Sequence, residues 1–350
     1  MNPFLFRLFR SNEVKVHELS YLFWECTSRC NLHCLHCGSD CGSLSRQKDM
    51  PLEDFLAALD TLGECPENFI VVLTGGEPLL RPDIETIGRA IRSRGLLWGM
   101  VSNGWFYDEK MHSRLMGAGM NALTISLDGL EASHDWMRGR TGSYARTIDA
   151  IRIMAAEPRL TSDVVTCVNK RNLSELPRMY EILSGLGVRQ WRLFTITPIG
   201  RAADEPEMRL DGEETISLMD FIANIRRETT KTKVTFSCEG YLGQYEEKVR
   251  DSRFFCHAGI NIASVLIDGR ISACPNIDRD LFSQGNIYQD NLADVWEHRF
   301  SPFRDRDWAQ KGKCGSCRMW KNCLGNGMHN WHGPSCELLQ CHYSMVNPEE

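Results

Sequence analysis

Fifteen cysteines in 350 residues are the first feature of this sequence that could do chemistry, and nearly all fall in two groups. The first reads Cys26-Thr-Ser-Arg-Cys30-Asn-Leu-His-Cys34-Leu-His-Cys37-Gly-Ser-Asp-Cys41. Cys30, Cys34 and Cys37 follow a C-x3-C-x2-C spacing. Thiolates are the usual ligands of iron–sulfur clusters. Three on one segment can hold three irons of a [4Fe–4S] cluster and leave the fourth iron open to a ligand. Cys26 or Cys41 could add a fourth thiolate, and zinc is the alternative metal; spacing alone leaves these open. The second group comprises Cys256, Cys274, Cys314, Cys317, Cys323, Cys336 and Cys341. A secreted disulfide framework fits poorly, because the chain is long, carries no secretion signal and has long stretches with few or no cysteines.

Other motifs sit just after apolar runs. Thr74-Gly75-Gly76-Glu77-Pro78 follows one at 69–73. Gly-Gly lets a backbone approach a ligand closely, and the Glu77 carboxylate can accept from an ammonium group. An ordinary strand-to-helix turn would also use Gly-Gly. Ser102-Asn103-Gly104 and Ser126-Leu127-Asp128-Gly129 follow the next two runs. They put small polar side chains at the sheet top, although Asn-Gly and Asp-Gly are also turn formers. Cys167 and Asn169 end a fifth run, where Cys167 reads as a small buried hydrophobe.

The elements that must position these residues are legible from periodicity. Strands are expected at 21–25, 69–73, 97–101, 123–127, 164–168 and 191–196. Helices are expected at 51–62, 83–94, 109–116, 144–155 and 176–186. Six β/α steps imply a parallel sheet covered by helices, doubly wound or closed toward a barrel. In either, chemistry gathers at the carboxyl ends of the strands, where the motifs lie. Beyond about residue 230 the pattern changes. A last strand is expected at 233–237, and a β-hairpin turns at Asp268-Gly269. The segment after Lys313 has little core of its own and would need metal to hold it together.

Cys30-Asn-Leu-His-Cys34-Leu-His-Cys37 resembles the signature of the radical S-adenosylmethionine (SAM) superfamily. The resemblance implies a partial (β/α)6 TIM-like barrel. It also implies that Cys30, Cys34 and Cys37 hold a [4Fe–4S] cluster whose open iron chelates SAM. By this match Cys26 and Cys41 are not ligands, and His33 and His36 pack around the cluster. Gly75, Gly76, Glu77 and Pro78 match the loop that binds the SAM amino group. Ser102, Asn103, Ser126 and Asp128 become candidate SAM contacts. His134-Asp135-Trp136-Met137-Arg138 resembles the family's run after the fourth strand, so Arg138 is expected to meet the SAM carboxylate, with Arg140 and Arg146 as competitors.

The second group resembles the SPASM extension of radical SAM enzymes that modify peptides and proteins. Cys256, Gly269, Cys274, Cys314, Cys317 and Cys323 fit its spacing. Gly327 stands where a further cysteine is expected, so one or two auxiliary iron–sulfur clusters are possible. Cys314, Cys317 and Cys323 can be completed by Cys336 or Cys341, and His329 is a candidate to make up the other set. Sulfatase-maturing relatives carry an Asp after the cysteine at position 274. Pro275 is there instead, with Asp278 out of register, which disfavours formylglycine formation.

The expected organisation is an N-terminal segment (1–20), a radical SAM barrel (21–238) and an auxiliary-cluster domain (239–350). The expected substrate is a peptide or small protein, and the expected electron donor a flavodoxin or ferredoxin. A radical SAM enzyme of the tetrapyrrole or heme pathway is the alternative. A non-catalytic iron–sulfur or zinc protein is the alternative from a different class, and the Gly75–Pro78 loop argues against it. The net charge of −6 argues against a nucleic-acid partner. No apolar run is long enough to span a bilayer, so the expected location is cytoplasmic. The apolar, basic start is expected to be a short amphipathic helix packed on the body, and a weak membrane anchor is its alternative.

Overall fold

A computed structural model describes residues 2–42, 47–228, 231–237 and 239–348. Residue 238, at the expected domain boundary, lies outside them. Seven parallel strands run in sequence order: β1 (Tyr21–Thr27), β2 (Ile70–Gly75), β3 (Leu97–Ser102), β4 (Ala122–Ser126), β5 (Thr161–Val168), β6 (Gln190–Thr195) and β7 (Lys233–Phe236). Between them lie helices α2 (Leu52–Asp60), α3 (Ile84–Arg92), α4 (Glu109–Gly117), α5 (Glu131–Arg138), α6 (Ser143–Ala155), α7 (Leu176–Gly185) and α8 (Gly212–Glu228), while α1 (Pro3–Val16) precedes β1. This is the mixed α/β, TIM-like partial barrel. Its expected strands and helices appear with small shifts at their ends. The sheet buries Leu22, Trp24, Val71, Leu73, Trp98, Met100, Ile125, Val164, Trp191 and Leu193. Trp24 of β1 stacks on Phe55 of α2 with ring centroids 4.0 Å apart, which fixes the first helix over the sheet.

The sheet continues into the cysteine-rich extension. Strands β8 (Ile262–Val265), β9 (Arg270–Ser272) and β10 (Gly285–Asn286) complete a ten-stranded sheet of order β10-β9-β8-β1-β2-β3-β4-β5-β6-β7. β8 runs parallel to β1, with Tyr21 opposite Ile262 and Trp24 opposite Val265. β8 and β9 form the expected hairpin, and Gly269 takes φ +85° in its turn. Buried Glu25 of β1 accepts from the Ile267 N–H at 3.2 Å and pairs with Arg279 at 3.3 Å. These contacts tie the hairpin to the strand that leads into the first cysteine loop.

Helix α1 packs on the body through Phe6, which meets Phe255 and Ile260. Phe4, Leu5, Leu8 and Phe9 on the same helix are exposed. Among the described residues, no helix is long and apolar enough to cross a membrane.

Candidate functional site

The first cysteine loop leaves β1 and lies across the carboxyl ends of the strands, held by backbone contacts from several of them. From β2, the Gly76 N–H donates to Thr27 O at 2.7 Å and the Glu77 N–H to Arg29 O at 2.9 Å. A β-carbon on Gly75 would lie 2.2 Å from Thr27 O, and one on Gly76 2.0 Å from Arg29 O. The Gly-Gly pair therefore admits the cysteine loop itself, where the sequence suggested approach to a ligand. From α5, Met137 O and Arg138 O accept from the Leu35 and His33 N–H groups. After β6, the Arg201 N–H donates to Cys37 O, and its guanidinium donates to Cys34 O at 2.7 Å.

Beneath the loop is a buried polar layer. Glu77 accepts from Ser102 Oγ at 2.9 Å, from the Asn103 N–H at 2.8 Å and from the Leu79 N–H at 3.1 Å. Burial raises its pKa, and these donors oppose the shift. A carboxylate offers about four acceptor sites, so about one remains for a further donor. Asn103 Nδ2 donates to Asn31 Oδ1 at 2.9 Å and points at Cys30 Sγ at 3.9 Å. Arg138, also buried, pairs with Asp128 at 2.6 Å and points Nη1 at Cys34 Sγ, 3.7 Å away. Its Nε has no partner. Ser126 ends β4 beside β5, opposite Val165. His36 lies 3.5 Å from Asp128, and burial holds its pKa down to about 4, so the ring is neutral at pH 7. Cys167 packs against Met137, Ile196, Met208 and Leu35, and its N–H donates to Asp128 at 2.8 Å.

Burial pushes the Cys30 thiol up to about 11 and raises Cys34 as well, while a hydrogen bond from Cys41 brings Cys37 down to about 6. Buried thiols of this kind shed their protons to a metal. The three converge closely enough that their charges act on one another, with Asn103 and Arg138 donors aimed at two of the sulfurs. This donor set fits an iron–sulfur cluster. Cys26 is instead buried in the core, its thiol donating to Thr74 O at 3.5 Å.

The second group also converges. Cys314 feels the charges of Cys341 and Cys317, and Cys323 those of Cys341 and Cys314. Burial pushes Cys314 up to about 11 and Cys323 up to about 12. Cys341 thus lies near Cys314 and Cys323. Cys336 lies near Asp278, Lys311 and Arg306, and Cys274 near Tyr21. Cys256 sits beside Cys323 in the wall of a small cavity. A β-carbon on Gly327 would lie 2.5 Å from Cε1 of buried His329. The imidazole thus occupies the place of the expected cysteine side chain. Asp278 caps the helix Arg279–Phe282 and pairs with His332 at 3.1 Å, so it is engaged structurally.

Sequence reasoning missed Arg201, and also the buried Glu239, which accepts from Thr195 and pairs with His342 at 3.2 Å. A basic residue after Pro-Ile-Gly at the end of β6 was the available signal for Arg201. The Glu239 pair joins residues 103 positions apart and left no local signal.

The radical SAM superfamily model matches residues 24–183. With the site described above, the match gives this chain a radical SAM domain and makes it a radical SAM enzyme, for which the domain implies SAM and a [4Fe–4S] cluster. Within the superfamily it is a SPASM-bearing member with auxiliary iron–sulfur clusters, since the SPASM iron–sulfur cluster-binding domain model matches residues 256–318. The chain is 27% identical to AdoMet-dependent heme synthase of Methanosarcina barkeri, over 86% of this chain and 89% of that one. It is 28% identical to mycofactocin maturase MftC of Mycobacterium tuberculosis, over 92% and 83%. Streptococcus suis SuiB bound to precursor peptide SuiA shares the fold with a TM-score of 0.69 at 16% identity, covering 95% of this chain and 80% of that one.

Proposed function

We propose that this enzyme modifies a peptide or small protein by a radical reaction begun at the Cys30/Cys34/Cys37 loop. The observation that carries the site assignment is the anchoring of that loop by Gly76 and Glu77, with the Glu77 carboxylate directly beneath it. An open-site cluster, when bound, supplies the electron that splits SAM into methionine and a 5′-deoxyadenosyl radical. The chain's residues position the reactants. Glu77 keeps an acceptor position for the SAM ammonium group, and Ser102 and Asn103 fix its carboxylate. The Arg138 guanidinium, held by Asp128, presents positive charge beside Cys34 for the SAM carboxylate. Gly75, Pro78 and Ser126 complete the cradle. Leu35, Met137, Ile196 and Met208 form an apolar wall that excludes water from a reactive radical.

The peptide substrate is supported by the maturase relative and by the SuiB fold. Residues 21–238 form the catalytic unit in this reading and 239–350 the auxiliary unit. The electron donor is a flavodoxin or ferredoxin, and the location is a reducing cytoplasm that keeps the thiols free. No nucleic acid takes part. A tetrapyrrole substrate is the second reading, favoured by the heme synthase relative.

The test is 5′-deoxyadenosine formation from SAM by anaerobically reconstituted protein with a strong reductant, beside Cys34→Ala. Product is expected from the wild type alone. Candidate precursor peptides are then expected to raise product formation and gain a mass change, whereas iron porphyrins are not. Stimulation by porphyrin alone would move the assignment to the second reading.

A further inference from the structure

Two buried guanidinium groups face the second cysteine group, and neither has a carboxylate partner among the described residues. Arg306 is 7% exposed and Arg10 8%. Arg306 donates to Asn326 O at 3.2 Å, and its Nε has no partner. The charged groups acting on it are thiols: Cys256, which it contacts, then Cys323 and Cys314. Arg10 reaches in from α1, donating to Asn322 O at 2.9 Å and Lys321 O at 2.8 Å, the two carbonyls just before Cys323. Arg10, Arg306, Cys256 and Cys323 line one cavity of about 20 Å³.

A buried cation without a counter-charge is strongly unfavourable. Neutral thiols cannot supply the missing charge. Four thiolates around an iron–sulfur core can, because such a centre is net negative. We propose that Arg306 and Arg10 are the counter-charges of the auxiliary iron–sulfur ligation at Cys256 and Cys323, and that they raise its reduction potential. The couple is one electron, taken from an external reductant, with no bond made or broken. Reduction makes the centre more negative, so a fixed positive charge nearby favours the reduced form. This gives α1 a role in the chemistry of the extension: it brings one of the two charges.

The inference rests on the auxiliary cluster being present, and the experiment separates the two. A full-length background with Cys30→Ala, Cys34→Ala and Cys37→Ala lacks the first cluster, so its iron and its EPR signal report the auxiliary iron–sulfur centres alone. If that background binds no iron, the auxiliary reading itself falls, and this proposal with it. If iron binds, Arg306→Met is expected to keep the iron and shift the midpoint potential to more negative values. The expected change is at least tenfold in the reduction equilibrium, or 59 mV for one electron. Arg10→Met is expected to shift it less, in the same direction, and Arg306→Lys to stay near the parent. An unchanged midpoint in Arg306→Met with full iron would overturn the proposal. So would equal loss of iron in Arg306→Met and Arg306→Lys, which would mark Arg306 as a packing residue only.

Discussion

The two cysteine groups are held in different ways. The loop carrying Cys30, Cys34 and Cys37 has almost no regular structure, yet it is fixed by main-chain and side-chain contacts from β2, α5 and the segment after β6. Those anchors belong to elements that pack in the large apolar core. The segment from Lys313 to Cys341 has only short helical turns and two-residue strands, and it lies against buried guanidinium groups with no carboxylate partner among the described residues. The barrel therefore presents a prepared site to its cluster, whereas the segment 313–341 is expected to depend on its cluster for stability. Iron removal gives the largest test of this contrast. In chelated, anaerobic protein, amide exchange at 313–341 is expected to rise roughly 100-fold or more, while β1–β7 stay protected. Equal loss of protection in both regions would dissolve the distinction.

The second test breaks the barrel's side of the comparison. Gly76→Ala places a β-carbon against the Arg29 carbonyl, and main chain on both sides leaves little room to yield. Overpacking of this kind costs about 3 kcal/mol. The expected result of Gly76→Ala is a lower denaturation midpoint and loss of 5′-deoxyadenosine formation, with auxiliary iron retained. Unchanged stability and product would show that the close approach of the two loops is not what fixes the site.

What was legible in the sequence follows the same division. The strands and most barrel helices repeat at clear periods, so the α/β class and the place of each motif could be read. Helix α5 escaped because it buries His134 and Arg138 rather than an apolar stripe. Helix α8 does carry a stripe, burying Leu218, Met219, Ile222 and Ala223, but it lies in a long segment without flanking motifs and was not assigned. In the site, sequence spacing identified Cys30, Cys34 and Cys37 but not the grip of Arg201, because that contact spans 167 positions. In the extension, spacing left Cys336 and Cys341 as alternatives, and the structure brings Cys341 near Cys314 and Cys323. Periodicity reports cores, and the segment 313–341 adds little beyond Cys314, Met328 and Trp331 to the buried core.

The smallest expected effect concerns a buried histidine on the barrel side. His134 accepts from the Asp128 N–H at 3.0 Å through Nδ1 and lies 3.2 Å from Ser143 Oγ through Nε2. It faces Arg138, Asp128, Asp135 and His36, and burial brings its pKa down to about 3 from the usual 6.5. The folded state thus holds the neutral ring, while the unfolded chain takes up a proton below pH 6.5. Stability from this group is fully present above pH 6.5 and is lost as pH falls toward 3, at about 1.4 kcal/mol per pH unit. The measurement is chemical denaturation of the iron-free barrel transition, wild type beside His134→Gln, from pH 7 to 4.5. The wild type is expected to be the more stable at pH 7, by about 1 kcal/mol for the hydrogen bond. By pH 4.5 its advantage should have shrunk by roughly 3 kcal/mol and so reversed in sign. A pH-independent difference would mean that His134 is not held neutral. The prepared polar layer would then owe less to buried, fixed groups, and the barrel site would be closer in kind to the extension.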